Sequence, residues 1–238
     1  MFRETQARSV AKSLSWRLLG TVSTALLVFI FSRRVVLSIA VGTAEFFAKL
    51  GLYWVHERFW DRLSYGRRQV EPAVVWFTGL PASGKSTVAD AVAETLTSRG
   101  YKVERLDGDS VRQLFPKTGF SRAERDEHLR RVGFLASRME KQGVFVVASF
   151  VSPYEDSRRF VRGLCRNFVE VYVATPLEEC ERRDPKGQYA KARRGEIANF
   201  TGVSDPYEPP ANPDVVIDTT NARVEHLRDR VLSAIRDG

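Results

Sequence analysis

The sequence predicts an α/β fold in which a five-stranded parallel sheet is flanked by helices and preceded by a separate apolar helical segment. Two observations lead to this expectation. From Pro72 onward, short apolar runs alternate with segments whose apolar residues recur at helical spacing, as in βαβ units. Before Pro72 the chain is both apolar and strongly basic, unlike the rest. We therefore expect two domains, at residues 1–69 and 70–238, the first ending in a short polar linker at 64–69.

The predicted strands are short apolar runs rich in β-branched and aromatic residues. They are Ala73–Thr78, Val103–Leu106, Val144–Ser149, Phe168–Val173 and Asp214–Ile217. The predicted helices are about Ser86–Arg99, Ser121–Lys141, Asp156–Cys165, Pro176–Arg183 and Ala222–Arg236. Right-handed crossovers between the strands give a parallel sheet, and ligands of such sheets bind at the carboxyl ends of the strands.

A glycine-rich loop between the first strand and the following helix has the spacing of a phosphate-binding P-loop. Its residues are Gly79, Leu80, Pro81, Ala82, Ser83, Gly84, Lys85, Ser86 and Thr87. The backbone N–H groups of such a loop suit a polyanion. We expect Lys85 to reach the β and γ phosphates of ATP and Ser86 to ligate Mg²⁺. A chance match in a turn is the alternative.

Two carboxylates, Asp107 and Asp109, follow the second strand across a glycine. One carboxylate of such a pair can bind or orient Mg²⁺, and the other can accept the proton of an attacking hydroxyl. The alternative is a solvated turn. The sequence has no Asn-Lys-x-Asp motif, which argues against a GTPase, and the third strand ends in Ser149 where a motor-type ATPase has Asp. A small-molecule P-loop kinase is therefore favoured.

The segment from Arg183 to Gly202 is cationic and contains two further glycines. Phosphoryl transfer needs positive groups over the developing charge and the exclusion of water. We expect this segment to be a basic lid, with a disordered surface loop as the alternative.

Charge is distributed unevenly along the chain. Residues 1–70 carry 11 Lys and Arg against 4 Asp and Glu, a net charge of +7, whereas residues 71–238 carry 26 against 25, a net charge of +1. A nucleic-acid-binding protein would be more uniformly basic. Because the basic segment is also apolar, its charge favours a membrane surface as partner over nucleic acid.

The first segment predicts a helical membrane hairpin over residues 13–60. An uncharged run of fifteen residues, 18–32, is followed by a second apolar stretch that only Glu45 and Lys49 interrupt. Four basic residues on each side, against two in the turn at Ser32–Arg34, place both termini in the cytoplasm. The protein would then lie at the inner membrane with its kinase domain facing the cytoplasm. A signal peptide, a mitochondrial transit peptide and a buried helical pair are the alternatives.

The two cysteines, Cys165 and Cys180, match no metal-binding or paired spacing. We expect ordinary, partly buried thiols in a reducing cytoplasm.

Taken together, the motifs of the second domain resemble those of the adenylylsulfate kinase family, which phosphorylates adenosine 5′-phosphosulfate (APS) at its 3′-hydroxyl. The resemblance extends from about Pro72 to Thr220. Besides the P-loop, it rests on the stretches Leu106–Arg112, Gly119–Arg125, Ser152–Tyr154 with Arg158, Arg183–Gly187, Ala192–Ile197, Phe200–Gly202 and Pro206–Pro210.

The resemblance implies a role for each matching residue. Asp109 would be the base or the metal-linked carboxylate together with Ser86, and Asp107 would lie beside it. Arg112 and Arg125 would hold the phosphosulfate, and Phe120 and Phe200 would lie on either side of the adenine. Lys186 and Arg193 would belong to the lid. Ser152 matches a serine proposed as a phosphoenzyme site in some members of the family. The resemblance further implies ATP and Mg²⁺ as cofactors and permits a homodimer.

Several residues depart from the family pattern, among them Ala82–Ser83, where Gly-Ala or Gly-Ser is frequent, and Gln188, where Leu is frequent. His128 stands at the position of a substrate-contacting Asn, Ser110 also replaces an Asn, and Glu155 replaces a frequent Arg. These changes bear on APS affinity rather than on the reaction type.

The first segment has a resemblance of its own. Its residues 12–17, 20–21, 45, 49 and 53–60 resemble a small bacterial family of unknown function with two predicted membrane helices.

Two other functions stay open at this point. One is a related kinase with a different hydroxyl acceptor, such as a nucleoside or an antibiotic. The other is a membrane nucleotide sensor without turnover, which the intact set of Lys85, Ser86, Asp107 and Asp109 disfavours.

Overall fold

The computed structural model describes residues 2–4, 6–31, 38–62, 67–69, 71–114 and 119–235. The chain divides into two compact units, one within residues 2–70 and the other within residues 71–237.

The first unit is built from two long helices and a two-stranded sheet. The helices are α1 (Gln6–Phe31) and α2 (Ser38–Arg62). Strand β1 (Phe2–Glu4) pairs antiparallel with β2 (Arg67–Gln69), so that Phe2 lies opposite Gln69. The sequence predicted a polar linker at 64–69. That prediction is wrong for Arg67–Gln69, because the linker backbone finds hydrogen-bond partners in the N-terminal residues.

Helices α1 and α2 run antiparallel and are joined by polar contacts. The indole N–H of Trp60 donates to Nε2 of His56 at 3.0 Å, and the hydroxyl of Ser15 lies 2.8 Å from the same nitrogen. Lys12 and Glu57 form an ion pair at 2.7 Å. These contacts link the first half of α1 to the second half of α2.

The predicted helical pair is therefore present. Within the ranges that the structure describes, no helix is both long enough and apolar enough to span a bilayer. The predicted turn at Ser32–Arg34 and the side chain of Glu45 lie outside the described residues.

The second unit contains a parallel sheet with the order β4-β5-β3-β6-β7. The strands are β3 (Val74–Thr78), β4 (Val103–Asp107), β5 (Phe145–Ser149), β6 (Phe168–Val173) and β7 (Val215–Ile217). All five predicted strands are confirmed to within a residue or two. Strands β3 and β5 are buried along their whole length, which explains why their sequences are continuously apolar.

Seven helices flank this sheet in the described part of the second unit. They are α3 (Lys85–Ser98), α4 (Gly108–Leu114), α5 (Arg122–Lys141), α6 (Glu155–Leu164), α7 (Leu177–Arg183), α8 (Gln188–Arg193) and α9 (Val224–Ala234). The five predicted helices are present. Helices α4 and α8 were not predicted, because seven and six residues are too few to establish a helical period.

The strand order brings three chain segments together at the carboxyl edge of the sheet. Strand β5 lies between β4 and β3, with Ser149 opposite both Asp107 and Phe77. The P-loop, which follows β3, is thereby placed next to the end of β5, and the carboxylates that end β4 are one strand further away.

Candidate active site

The P-loop has the backbone conformation that its glycines permit. Gly79 has φ 151° and Gly84 has φ 88°, both in the region that disfavours a side chain. A Cβ atom at Gly79 would lie 2.6 Å from the carbonyl oxygen of Val173 on β6. Glycine at position 79 is thus required both by the turn and by the close approach of β6.

Lys85 begins α3 and is almost entirely buried beneath the loop. Its ammonium donates to the carbonyl oxygen of Leu80 at 2.6 Å and to the hydroxyl of Ser83 at 3.3 Å. Burial lowers the pKa of Lys85 from 10.5 to about 8, against the opposing effect of Cys180, Asp107 and Asp109. A polyanion in the loop would favour the charged form of this lysine.

Ser86 at the start of α3 forms a hydroxyl and carboxylate cluster with Asp107 and Ser149, which end β4 and β5. The hydroxyls of Ser86 and Ser149 donate to Oδ2 of Asp107 at 3.0 and 2.9 Å, and the backbone N–H of Asp109 donates to Oδ1 at 3.0 Å. Burial acts to raise the pKa of Asp107, but these hydrogen bonds and the charge of Arg105 outweigh it and lower the pKa.

The cluster fits a Mg²⁺ ion that is completed by nucleotide phosphates. Among the described residues, no group of three or more His, Cys, Asp or Glu side chains is arranged to hold a metal ion. Mg²⁺ in phosphoryl-transfer sites needs only one or two protein oxygens in addition to phosphates and water. The Ser86 hydroxyl and the ionised Asp107 provide such oxygens.

Asp109 has a different environment, although it is only two residues away. It lies in the first turn of α4, its side chain is 71% exposed, and it forms an ion pair with Lys186. The structure therefore places Asp107, rather than Asp109, beside Ser86. Asp109 instead connects the end of β4 to the segment that follows α7.

Aromatic and basic side chains form another wall of the same cleft. The guanidinium of Arg112 lies over the Phe120 ring at 4.5 Å from its centroid, and that of Arg125 lies at 5.7 Å. Arg125 also donates to the hydroxyl of Thr201 at 2.7 Å and to the backbone oxygen of Asn199. The half-exposed Phe120 ring is thus held against two cations that face the cleft.

The cleft has a volume of about 790 Å³, which lies in the range of ligand-binding pockets. Its lining includes most residues of the P-loop together with Asp107, Asp109, Arg112, Phe120, Arg125, Ser152, Lys186 and Phe200. In the part of the chain that the structure describes, three non-glycine residues have a φ between 38° and 59°, in the left-handed region, and all three line this cleft: Ala82, Ser152 and Asn199. Such strained backbone concentrates at functional sites.

Ser152 lies in the cleft wall, but its hydroxyl is occupied. It receives a hydrogen bond from the indole N–H of Trp76 at 3.1 Å and pairs with the hydroxyl of Thr78 at 2.9 Å. The residue is 2% exposed, and its carbonyl oxygen accepts a hydrogen bond from the buried Arg158. These contacts fix the loop after β5 and leave little access to the hydroxyl.

The predicted lid is an ordered element with a small core of its own. Tyr189, Ala192 and Phe200 are buried with Cys180 of α7 in one hydrophobic cluster, and the Tyr189 ring meets Phe200 edge to face at 5.0 Å. The hydroxyl of Tyr189 donates to the backbone oxygen of Pro81 in the P-loop at 3.0 Å. The alternative of a disordered surface loop is therefore excluded.

Comparison with known proteins identifies the family. The sequence matches the family model "Adenylylsulphate kinase" over residues 71–218. An adenylyl-sulfate kinase of Synechococcus sp. (strain JA-3-3Ab) is 50% identical over 172 residues, which cover 72% of this chain and 96% of that protein. This chain belongs to the adenylylsulphate kinase family.

Solved structures of family members agree with the fold. The Mycobacterium tuberculosis APS kinase CysC, in complex with AMPPNP and APS, is 40% identical with a TM-score of 0.67, and the match covers 70% of this chain and 99% of that one. The hexameric APS kinase from Thiobacillus denitrificans is 32% identical with a TM-score of 0.55, covering 72% of this chain and 30% of that one. Residues 10–61 match a different family, described as "Predicted membrane protein (DUF2061)".

Five of the residues predicted to bind substrate or nucleotide do not line the cleft, namely Gly79, Leu80 and Ser83 of the P-loop and, outside the loop, His128 and Arg193. His128 is buried on α5 with its ring 6.2 Å from that of Phe150, and burial with the charges of Arg112 and Arg131 lowers its pKa to about 4. Arg193 at the end of α8 is exposed and forms an ion pair with Glu181. Their predicted contacts with ligand stay predictions.

Glu155, which stands where the family frequently has Arg, does not line the cleft either. Its carboxylate accepts a hydrogen bond from the buried guanidinium of Arg158 at 2.6 Å, and Arg158 further pairs with Glu170 at 3.1 Å. The acidic side chain therefore balances a buried cation within the fold. The expected effect of this residue on anion affinity has no direct contact to support it.

Two residues that organise the site were given no role from the sequence alone. Ser149 and Arg105 are hydrogen-bonded to each other at 2.8 Å, and Ser149 contacts Asp107 directly. A polar residue at the end of an otherwise apolar strand was the available signal for Ser149. No sequence pattern indicated Arg105, since its role depends on which strand lies beside β4.

Proposed function

We propose that this protein transfers the γ-phosphoryl group of ATP to the 3′-hydroxyl of APS, giving 3′-phosphoadenosine 5′-phosphosulfate and ADP. The observation that carries this proposal is the single cleft that joins a P-loop to an arginine and phenylalanine wall. A phosphate donor and a planar, anionic acceptor have complementary surfaces there. Two curated relatives that are matched over 92% and 96% of their own length carry the name adenylyl-sulfate kinase and support the same activity.

On the donor side, we assign the P-loop to the ATP phosphates. Backbone N–H groups of the loop and the ammonium of Lys85 would neutralise charge that develops during transfer. Ser86 and Asp107 would hold Mg²⁺, with Asp109 as the second candidate carboxylate. When bound, Mg²⁺ would supply positive charge that offsets the negative charge of the phosphates.

On the acceptor side, we assign Asp109 to the 3′-hydroxyl and the arginines to the phosphosulfate. The Asp109 carboxylate can accept a proton once Lys186 exchanges it for a substrate anion, because the pair is exposed and weakly held. Phe120 and Phe200 would stack on the adenine. Since Arg112 and Arg125 lie over Phe120 here, base stacking on that face requires both cations to move toward the substrate anion.

Transfer is proposed to be direct, without a phosphoserine. The hydroxyl of Ser152 is buried and bonded to Trp76 and Thr78, so it is poorly placed for attack. Ser152→Ala should retain turnover within about tenfold, since one buried hydrogen bond contributes about 1 kcal/mol. Rapid quench with γ-³²P-ATP should detect no labelled protein. Stoichiometric labelling that is lost in Ser152→Ala would contradict direct transfer.

The proposed activity is tested by ADP release from the purified full chain with Mg²⁺ and ATP, with and without micromolar APS. A strong APS-dependent rate is expected. ATP binding without any APS response would favour a different hydroxyl acceptor or a nucleotide sensor instead.

We also propose that residues 13–60 attach the kinase to the cytoplasmic face of the inner membrane. The match to a family described as membrane proteins supports this assignment. Ten of the fifteen large apolar side chains exposed in the described residues lie between Val10 and Phe59, although the two helices make up a minority of the chain. Exposed apolar surface of this extent, combined with a net charge of +7, suits an anionic lipid surface.

Membrane attachment is tested by fractionating cells that express the full chain. The kinase should sediment with membranes and be released by detergent more completely than by 1 M salt. If the full chain stays in the supernatant without detergent, membrane attachment is wrong. Fractionation does not depend on catalysis, so either proposal can fail alone.

A further inference from the structure

Arg105, on the edge strand β4, connects three elements behind the cluster of Ser86, Asp107 and Ser149. Its Nε donates to Asp90 of α3 at 2.7 Å, and its Nη1 donates to the backbone oxygens of Leu106 and Val147 at 2.9 and 3.2 Å. Its Nη2 donates to the hydroxyl of Ser149 at 2.8 Å. Each nitrogen of the guanidinium thus has an acceptor, which fixes the group in one orientation.

The contact with Ser149 determines which way the neighbouring hydroxyls point. A guanidinium has no acceptor, so Ser149 must accept from Arg105 and donate its own proton elsewhere. The partner is Oδ2 of Asp107 at 2.9 Å. The other hydroxyl within reach of Ser149 is that of Ser86, at 3.4 Å.

The direction of these bonds matters for Ser86. With Ser149 committed to Asp107, Ser86 can donate to Asp107 at 3.0 Å and keep its lone pairs for the cleft. If Ser149 instead donated to Ser86, it would occupy a lone pair that a cation needs. The guanidinium of Arg105 disfavours that alternative, since Ser149 is held by a charged donor on one side and a carboxylate on the other.

We propose that Arg105 is a positioning residue that orients the hydroxyls of Ser149 and Ser86 so that Ser86 presents its lone pairs to Mg²⁺. The proposal rests on the assignment of the cluster to Mg²⁺ made above. Residues behind a metal ligand commonly act in this way, and their loss costs about ten- to one-hundredfold in metal affinity or activity.

The positive charge of Arg105 should weaken Mg²⁺ binding, whereas its orienting effect on the hydroxyls should strengthen it. Its Nη2 lies 3.7 Å from Oδ2 of Asp107, so it partly neutralises the carboxylate that attracts the cation. Replacement by a neutral residue would strengthen Mg²⁺ binding if charge were the dominant effect. It would weaken Mg²⁺ binding if orientation were dominant. The sign of the change therefore separates the two roles.

The test measures Mg²⁺-dependent binding of AMPPNP to the full chain by calorimetry, in the absence of APS and of turnover. Arg105→Met should raise the Mg²⁺ concentration for half-maximal binding about tenfold. Affinity for AMPPNP without Mg²⁺ should change by less than about twofold, because Arg105 does not line the cleft. Since AMPPNP binding needs no acceptor, this result does not depend on whether APS is the substrate.

The same measurement in a Ser149→Ala background tests whether Arg105 acts through Ser149. Without the Ser149 hydroxyl there is no competing donor, so adding Arg105→Met should change the Mg²⁺ requirement by no more than about twofold. Asp90→Asn is the matched control, because it removes the outer partner of Arg105 and leaves the Ser149 contact. This control should resemble the wild type.

Two results would overturn the proposal. One is an unchanged or lower Mg²⁺ requirement in Arg105→Met. The other is the same shift in the presence and absence of Ser149. If Arg105→Met does not fold, Arg105→Lys is measured instead. It keeps the charge but lacks the planar fork, so a raised Mg²⁺ requirement is expected.

Discussion

Asp107 and Asp109 show how neighbouring residues of one type acquire different chemistry. Asp107 accepts three hydrogen bonds at the end of β4 and has a lowered pKa, so it is a fixed anion. Asp109 is exposed in the first turn of α4 and pairs with Lys186. A proton acceptor must be accessible and able to change partners, whereas a metal-orienting group must be held. Asp109 meets the first requirement and Asp107 the second.

Asp109→Ala should therefore abolish APS-dependent ADP release, by about a thousandfold or more, since it removes the proposed general base. Binding of ATP should change by less than about threefold, because the P-loop contacts remain. Steady-state kinetics and calorimetry measure the two quantities. Ser110→Ala, one position along α4, is the control. Near-normal turnover in Asp109→Ala would mean that the base has been assigned to the wrong residue.

His128 provides a prediction about pH and stability. Its pKa is lowered to about 4 in the folded protein against 6.5 for an ordinary histidine, mainly by burial. Between these values the unfolded chain binds more protons, so folding stability is present above pH 6.5 and is lost as pH falls toward 4. This loss should amount to about 3 kcal/mol for the single group.

His128→Asn replaces the titrating ring with the residue that the family usually has. Urea unfolding at pH 7 and pH 4.5 should show a smaller loss of stability in the variant than in the wild type. His226→Asn, in α9, serves as the control. Equal losses in His128→Asn and the wild type would show that His128 does not titrate in this interval.

At the scale of elements, the lid is held by one compact cluster rather than by its charges. Tyr189 is central to it, since its ring packs on Phe200 and its hydroxyl bonds to Pro81 of the P-loop. Asp184 accepts hydrogen bonds from the backbone N–H groups of Gln188 and Ala190 and so caps the short helix α8. The lid is thereby linked to the loop that would hold the nucleotide.

Tyr189→Ala should loosen this lid locally. The loss of a large buried ring costs about 3–5 kcal/mol at a packed site, which exceeds the stability expected of a six-residue helix. Hydrogen exchange of the amides in 188–193 should accelerate at least tenfold, while β3 stays protected, and KM for ATP should rise. Tyr189→Phe keeps the ring and should show a much smaller change. Unchanged exchange in Tyr189→Ala would contradict a lid held by this cluster.

At the scale of the whole molecule, the family match and the charge excess fall on different parts of the chain. The kinase family match lies in residues 71–218, whereas most of the positive charge lies in residues 1–70. The catalytic cleft is lined entirely by residues of the second unit. Chemistry and attachment should therefore be separable.

Deletion of residues 1–69 should leave kcat and KM for APS within about twofold, since the cleft loses no lining residue. The truncated protein should no longer sediment with membranes. Steady-state kinetics of both forms, the full chain in detergent, provide the comparison. A large loss of kcat in a folded truncated protein would show that the first unit takes part in catalysis.

The sequence by itself determined most of the fold and the chemical class of the site. Five strands, five helices and the P-loop follow from short-range patterns of apolar residues and glycines, which depend only on neighbours along the chain. The resemblance to the family predicted that Asp107, Asp109, Arg112 and Phe120 belong to one site. Two short helices and the strands β1 and β2 escaped prediction because they have too few residues to show a period.

The tertiary structure alone decided how these parts are arranged. The order β4-β5-β3 places Ser149 between Ser86 and Asp107, and it brings Arg105 behind them. It also buries His128 away from the cleft and gives the cationic lid a hydrophobic core. These features depend on contacts between residues far apart in the chain. Short-range patterns cannot specify them, because strand order is set by how the whole sheet buries its apolar faces.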